Sequence, residues 1–160
     1  MNFTMYTTTK ETQWKHVESM EKSLCNTTLS LTGETDQVFE GFGGCFNELS
    51  QIAIETLPKE AQEEIYDALF SKDADGVRFD FCRLPIGASD YAERWYSHNE
   101  TEGDYKMEHF SIERDEKYLI PYIQAAKKRN PELKLFASPW SPPTWMKTHK
   151  ACNFGTLIQT

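Results

Sequence analysis

No apolar run in this sequence approaches the roughly 18 residues needed to cross a bilayer. Its opening, MNFTMYTTTKETQWK, also lacks the apolar centre of about 7 to 15 residues that a secretory leader carries. The two absences predict a cytoplasmic protein with no transmembrane segment, and a secreted one only if the true start has been lost. Basic side chains are scarce, 17 against 25 acidic, for a net charge of -8. That shortage excludes nucleic acid as a partner, because phosphate neutralisation needs a surplus of Lys and Arg on one face. The four cysteines, Cys25, Cys45, Cys82 and Cys152, form no C-x-x-C pair and have no His at zinc-finger spacing, so they predict no metal site. They read as idle thiols that would pair only in an oxidising compartment. His98 and His109 lie among acids at no metal-ligand spacing and are expected to be solvated. The sequons at Asn2, Asn26 and Asn99 are short enough to arise by chance.

What is present is ordinary globular material, 39% hydrophobic and 13% aromatic over 160 residues, enough for one core. Residues 1–35 are rich in Thr, Ser and Lys, with alternation suited to an exposed strand only at Thr28–Thr32. From Val38 to Phe46 the stretch FEGFGGCF predicts a buried strand whose glycines let another backbone approach closely, followed by a tight turn. Pro58 then suits a helix start, and Ala61, Ile65 and Leu69 form one apolar stripe, predicting a helix to about Phe70. A second strand is expected over Val77–Leu84, stopped by Pro85. A long connection runs from Ile86 to Phe110, and such loops are more often functional than idle. A second helix follows Ser111, acidic first and basic last as the helix dipole favours, with Pro121 predicting a kink. Leu133–Ser138 is the third strand, ended by Pro139 and the loop WSPPTW. Strands alternating with helices predict a parallel α/β architecture. Three strands are too few to close a (β/α)₈ barrel, which needs about 200 residues or more, so the chain reads as the front part of one.

In such barrels the working residues stand at the carboxyl ends of strands. Those places hold Asn47 and Glu48, then Arg83 and Ser89-Asp90-Tyr91, then Ser138-Pro139-Trp140. Asp90 and Trp140 form a natural sugar-recognition pair, since a carboxylate accepts hydroxyl hydrogen bonds and an indole stacks on the C–H face of a sugar. Equally, Trp140 suits core packing and Asp90 a turn. Arg83 suits either a structural ion pair with an acid on a neighbouring strand or the orienting of a catalytic carboxylate. Glu48, at the start of a short helix, is expected simply to cap it.

The segments EGFGGCFNE (Glu40–Glu48), CRLPIGASDY (Cys82–Tyr91) and LFASPWSPPTWMKT (Leu135–Thr148) closely resemble the glucosylceramidase-type glycoside hydrolases, glycoside hydrolase family 30. The likeness runs from about Val38 to Leu157. The resemblance implies a (β/α)₈ TIM barrel joined to a side β-sandwich, with residues 1–35 contributing to the sandwich and 36–160 forming about three strands of an incomplete barrel. It further implies a retaining hydrolase of β-linked glycosides, including glucosylceramide, β-1,6-glucan and xylosides. Two glutamates do the chemistry there, and both lie on later strands, so no catalytic residue is assigned within these 160 residues. By the same resemblance Asp90 and Trp140 bind the terminal sugar, Tyr91 stands at the pocket rim, and Arg83 lies near the nucleophile and orients it, while Trp145 is expected to pack. No metal or organic cofactor is implied, since two carboxylates suffice for this reaction. The expected partner is a β-glycoside, and the rest of the barrel is needed for stability, because apolar positions such as Val77, Phe79, Phe81, Leu135 and Ala137 require later elements to cover them. A carbohydrate-binding protein that cleaves nothing, or a non-functional truncated product, are the competing readings.

Overall fold

The glycine-dense segment at Phe42–Phe46 extends because its neighbour leaves room only for backbone. A Cβ at Gly43 would sit 1.5 Å from the Phe81 carbonyl oxygen. The computed structural model describes residues 4–17 and 30–159. Cys25 and the sequons at Asn2 and Asn26 lie outside them. Of the strand expected over Thr28–Thr32, Thr28 and Leu29 also lie outside, while Ser30–Thr32 are exposed and irregular. The chain divides into two units, Met1–Val38 and Phe39–Thr160. In the first, β1 (Met5–Thr7) pairs antiparallel with β2 (Lys15–Val17), and the Tyr6 ring stacks on Trp14 at 5.3 Å.

In the second unit, α1 (Glu48–Glu55) and α2 (Lys59–Phe70) precede β3 (Phe81–Ile86). Next come α3 (Glu113–Lys117), α4 (Leu119–Arg129) and β4 (Lys134–Pro139). The Phe42–Phe46 segment runs alongside β3, with Phe81 N–H bonded to Phe42 O, Arg83 N–H to Gly44 O, and Phe46 N–H to Arg83 O. Cys45 bridges Arg83 in parallel sense. On the other side of β3, β4 pairs parallel in the register Arg83 with Phe136 and Pro85 with Ser138. The buried strand expected over Val38–Phe46 is not formed: this stretch is an extended segment joined to β3 through one bridge, and Val38, Phe39 and Phe42 are exposed, with only Phe46 buried, because no later element covers it among the described residues. The helix, strand, helix, strand order that follows is as read from the sequence.

Three boundaries differ from expectation. The second strand begins at Phe81 instead of Val77, because Val77 and Phe79 donate their N–H groups to Ala68 and Leu69 carbonyls at the end of α2, both at 2.8 Å. Gly76 makes that approach possible, since a Cβ there would lie 2.0 Å from the Ala68 oxygen. Pro85 lies inside β3 and does not stop it. Alternate residues donate toward Phe42–Phe46, and at Pro85, next in that alternation, the partner chain has already turned into α1, so the missing N–H costs no ladder bond. At Pro121 the expected kink is a full break three residues earlier, at Tyr118 (φ -126°, ψ -60°). Proline cannot donate to the carbonyl of residue 117, which releases the preceding turn.

Helices α2 and α4 cover one face of the sheet. Phe46, Tyr66, Phe70, Cys82, Tyr122 and Ala126 make the centre of the core, with Phe46 stacked on Phe70 at 5.7 Å and edge-on to Tyr122 at 4.8 Å. Full burial of each large apolar side chain here stabilises by about 1.5–3 kcal/mol relative to exposure. Asn130, also buried, ends α4 and ties it to the sheet by donating Nδ2 to the Phe79 carbonyl at 3.0 Å. Val77, Phe81, Leu135, Phe136 and Ala137 are exposed.

Candidate functional site

Because side chains alternate along a strand, β3 sends Cys82 and Leu84 toward the helices and Phe81 and Arg83 to the opposite face. The parallel register sets Phe136 and Ser138 beside them. Arg83 Nη2 donates to Ser138 Oγ at 2.9 Å, and the guanidinium lies 5.4 Å from the centre of the Trp140 ring. Its Nε is buried with no hydrogen-bond partner among the described residues. Arg83 is thus held by a hydroxyl and an indole, and the acid on a neighbouring strand that an ion pair requires is not what it contacts.

Past the carboxyl end of β3 the chain makes a turn at Ser89–Ala92, with Ala92 N–H bonded to Ser89 O at 3.0 Å. Asp90 is exposed on it. Past β4 stands Trp140, 42% exposed. The two side chains, 50 positions apart in sequence, line one cleft of about 80 Å³ together with Ser89, Trp95, Ser141 and Asn153. Trp95 and Asn153 are not signalled by any spacing in the sequence; only folding brings them here. Tyr91 is exposed and does not line this cleft. Trp140 and Ser141 also border a larger, mainly apolar pocket of about 480 Å³, lined by Ile86, Met107, Phe110 and Leu157 together with the polar Ser97 and Asn99. One indole therefore lines both a polar cleft and a mainly apolar pocket.

Several side chains near the site depart from their sequence reading. Glu48 occupies the first turn of α1, but the cap itself is Asn47, whose Oδ1 accepts Ser50 N–H at 2.8 Å. Glu48 is only 3% exposed. It accepts the Glu93 N–H at 2.7 Å and pairs with Arg114, whose Nη2 lies 2.9 Å from Oε1 and 3.0 Å from Oε2. The capping role fails because the helix start is packed under the Ser89–Glu93 segment. His98 is not solvated either: its side chain is 11% exposed. The loop folds back through the Ala88 N–H bond to Tyr96 O, and Gly87 N–H then donates to His98 Nε2 at 3.1 Å. Nδ1 lies 3.2 Å from Ser111 O, and Nε2 is also 3.4 Å from Asp115 Oδ2. Tyr96 donates to Asp115 at 2.6 Å, and burial pushes its phenol pKa up. His109 does stand exposed, beside Asp104 at 3.3 Å. Trp145 is buried, its Nε1 donating to Asn99 O at 3.0 Å. The Asn99 side chain is itself buried and bonded to Asp104 at 2.8 Å, so this sequon is closed in the folded chain. Cys45, Cys82 and Cys152 are free thiols, and burial pushes that of Cys82 up. Among the described residues no cluster of His, Cys, Asp and Glu could hold a metal ion, and no helix is long and apolar enough to cross a membrane.

Asp104 organises the long loop whose Met107 and Phe110 line the apolar pocket. It accepts the His109 N–H at 2.8 Å, the Asn99 amide, and the Glu108 N–H at 3.1 Å. These bonds, the His109 backbone first, hold its pKa down to about 2. A folded-state value below the unfolded one, about 3.9, means the contribution is complete above that range and is lost as pH falls through the folded value. The Asn99–Phe110 loop is accordingly expected to stay closed at pH 5 and to loosen only on acidification from about 4 toward 2. Amide exchange of Glu108 and His109 across an acid titration checks this. An Asp104→Asn chain that loosened over the same window would refute the assignment.

Residues 39–159 match the family model described as the glycosyl hydrolase family 30 TIM-barrel domain. The putative glucosylceramidase 2 of Caenorhabditis elegans is 37% identical over 131 residues, covering 81% of this chain and 25% of that protein. In structure the chain is similar to SrfJ of Salmonella typhimurium, with a TM-score of 0.70 and 34% identity over 77% of this chain and 27% of that one. It is also similar to an endo-β-1,6-glucanase, with a TM-score of 0.65 and 28% identity over 73% of this chain and 25% of that one. The chain thus spans about a quarter of the length of these relatives. Its parallel strands, its helix-covered sheet and the match over residues 39–159 agree: the chain belongs to glycosyl hydrolase family 30, a family of glycoside hydrolases built on a TIM barrel.

Proposed function

We propose that this chain supplies the terminal-sugar subsite of a retaining β-glycosidase whose substrates are β-glucosides with an apolar aglycone, such as glucosylceramide. The observation that carries the reading is the convergence of Asp90 and Trp140 on one cleft at the carboxyl ends of consecutive strands. Asp90 would accept sugar hydroxyls and Trp140 would stack on the ring. Arg83, whose buried Nε–H has no acceptor among the described residues, is suited to receive and orient a carboxylate nucleophile. In this reading the nucleophile and the acid/base come from later strands, roughly 5–5.5 Å apart as retention requires. Those later elements would also cover the exposed Phe81 and Phe136, and the β1–β2 hairpin would belong to the side β-sandwich. The apolar pocket beyond Trp140 favours a lipid-like aglycone over a further sugar unit, since Met107, Phe110 and Leu157 offer a glucan no hydrogen bonds.

Titrating an enzyme with residues 39–159 in place of the matching stretch of the C. elegans relative, so that the rest of a barrel is present, with methyl and octyl β-D-glucosides, read by NMR, tests both halves. The methyl glucoside should perturb Asp90 and the Trp140 indole, and Trp140→Ala should weaken it about 2 to 13-fold, the value of a stacking contact. The octyl glucoside should bind at least roughly tenfold tighter, because two buried methylenes already supply that much. Shifts confined to residues outside the cleft would sink the subsite. Equal affinity for the two glucosides would sink the apolar aglycone and leave the subsite standing.

A further inference from the structure

Glu48 belongs to no part of the sugar cleft, yet it is among the most deeply buried charges in the chain. What it touches is the segment that carries Asp90. The Ser89–Glu93 stretch meets the start of α1 at two points: Leu49 N–H donates to Tyr91 O at 3.0 Å, and Glu93 N–H donates to Glu48 Oε2 at 2.7 Å. Arg114 closes the arrangement from α3. Its Nη2 binds Glu48 and lies 3.4 Å from Glu93 Oε2, while its guanidinium packs on the Tyr96 ring at 4.9 Å. Asp90 sits one residue before the first anchor and three before the second. Inside the turn only Ser89 assists, accepting the Tyr91 N–H at 3.3 Å.

From this geometry we infer that Glu48 is a positioning residue for sugar binding: its carboxylate, locked by Arg114, fixes the Asp90 turn through the Glu93 amide. The inference rests on the reading of Asp90 as a sugar ligand. Its physical basis is that an exposed carboxylate on a short turn keeps one orientation only where the backbone on both sides is held, and misplacement by about 1 Å is enough to cost orders of magnitude in recognition or rate. Carboxylate bonds to backbone N–H are among the stronger fixings available, and burial strengthens this one. The ion pair with Arg114 then serves to keep a charged acceptor in the interior, where neither charge would be tolerated alone.

Removing Glu48 alone would strand Arg114, so the test removes both charges. In an enzyme with residues 39–159 in place of the matching stretch of the C. elegans relative, so that the rest of a barrel is present, E48Q/R114M retains an oxygen that accepts the Glu93 N–H, whereas E48M/R114M keeps similar bulk and offers none. The probe is methyl β-D-glucoside, with amide exchange at Asp90, Tyr91 and Glu93 as the second readout. E48M/R114M is expected to bind the glucoside roughly tenfold or more weakly and to exchange those three amides faster, with the core amides of Phe70 and Cys82 unchanged. E48Q/R114M should restore both readouts to within about threefold of the parent chain. Adding D90A should erase the affinity difference between the two double variants, since a residue acting through Asp90 has nothing left to position. Equal binding by the two double variants, or a difference that persists on the D90A background, would overturn the assignment. If D90A alone leaves binding unchanged, the sugar-ligand reading of Asp90 has failed, and the exchange at Glu93 still decides whether Glu48 holds the turn.

Discussion

Asp90→Ala is expected to lower kcat/KM about 10 to 150-fold in an active enzyme carrying this segment, for instance with residues 39–159 in place of the matching stretch of the C. elegans relative. The magnitude follows from chemistry at one side chain. Asp90 is exposed at the cleft and charged, and hydrogen bonds to charged groups contribute about 1.5–3 kcal/mol. At about 1.4 kcal/mol per decade, loss of that acceptor gives the stated range. Steady-state kinetics on an aryl β-glucoside measures it, with thermal melting to confirm that the fold is intact. Removal of an exposed turn residue should shift stability by no more than about 0.5 kcal/mol. Unchanged kcat/KM would remove Asp90 from the site and send the search toward Trp95 and Asn153, which share the cleft.

The second expectation is larger still: the 160-residue chain alone should hydrolyse aryl β-glucosides no faster than buffer. Retention needs two carboxyl groups roughly 5–5.5 Å apart, facing each other across the scissile bond. Asp90 is the one acid among the described residues that line the cleft. Glu48, the nearest acid in the family-like first segment, is consumed by Arg114 and the Glu93 amide and is shielded from solvent. A single binding carboxylate supplies neither a nucleophile with an acid partner nor a route for the leaving-group proton, so the usual acceleration of 10⁶-fold or more is forfeited. Release of p-nitrophenol by a purified sample, abolished in a chain carrying D90N, would show that Asp90 does chemistry and that the catalytic pair has been misplaced. Activity that survives D90N and vanishes with E48Q would instead return Glu48 to the reaction.

Much of the framework was legible because its signals are local. The four-residue spacing of Ala61, Ile65 and Leu69 behind Pro58 is fulfilled in α2 (Lys59–Phe70), since an apolar stripe and a proline start act within a few turns of chain. The run from Leu133 to Ser138 is fulfilled within a residue in β4. Pro139, expected to stop the strand, is its last paired residue, opposite Ile86. The strand before Pro85 was misplaced because its boundary is set by remote partners: Val77 and Phe79 bond to the end of α2, and the proline is tolerated where the neighbouring segment has departed.

At the site the division is sharper. Aromatic and acidic residues at strand ends, together with the family-like segments, were enough to name Asp90, Trp140 and Arg83. The length of the Ile86–Phe110 connection marked it as a place to look for the site. The alternation of strands and helices that points to a parallel α/β sheet likewise needed nothing beyond the order of residues. Only the tertiary structure decided that Asp90 and Trp140 share a cleft, that Tyr91 is not among its lining, that Arg83 leans on Ser138 and Trp140 with no ion-pair partner among the described residues, and that Glu48 and His98 are interior. The reason is one of range. Periodicity, capping and turn chemistry operate over a few residues, whereas burial of a charge depends on which segment packs above it, as when Glu93 and Arg114, 45 and 66 positions away, close over Glu48.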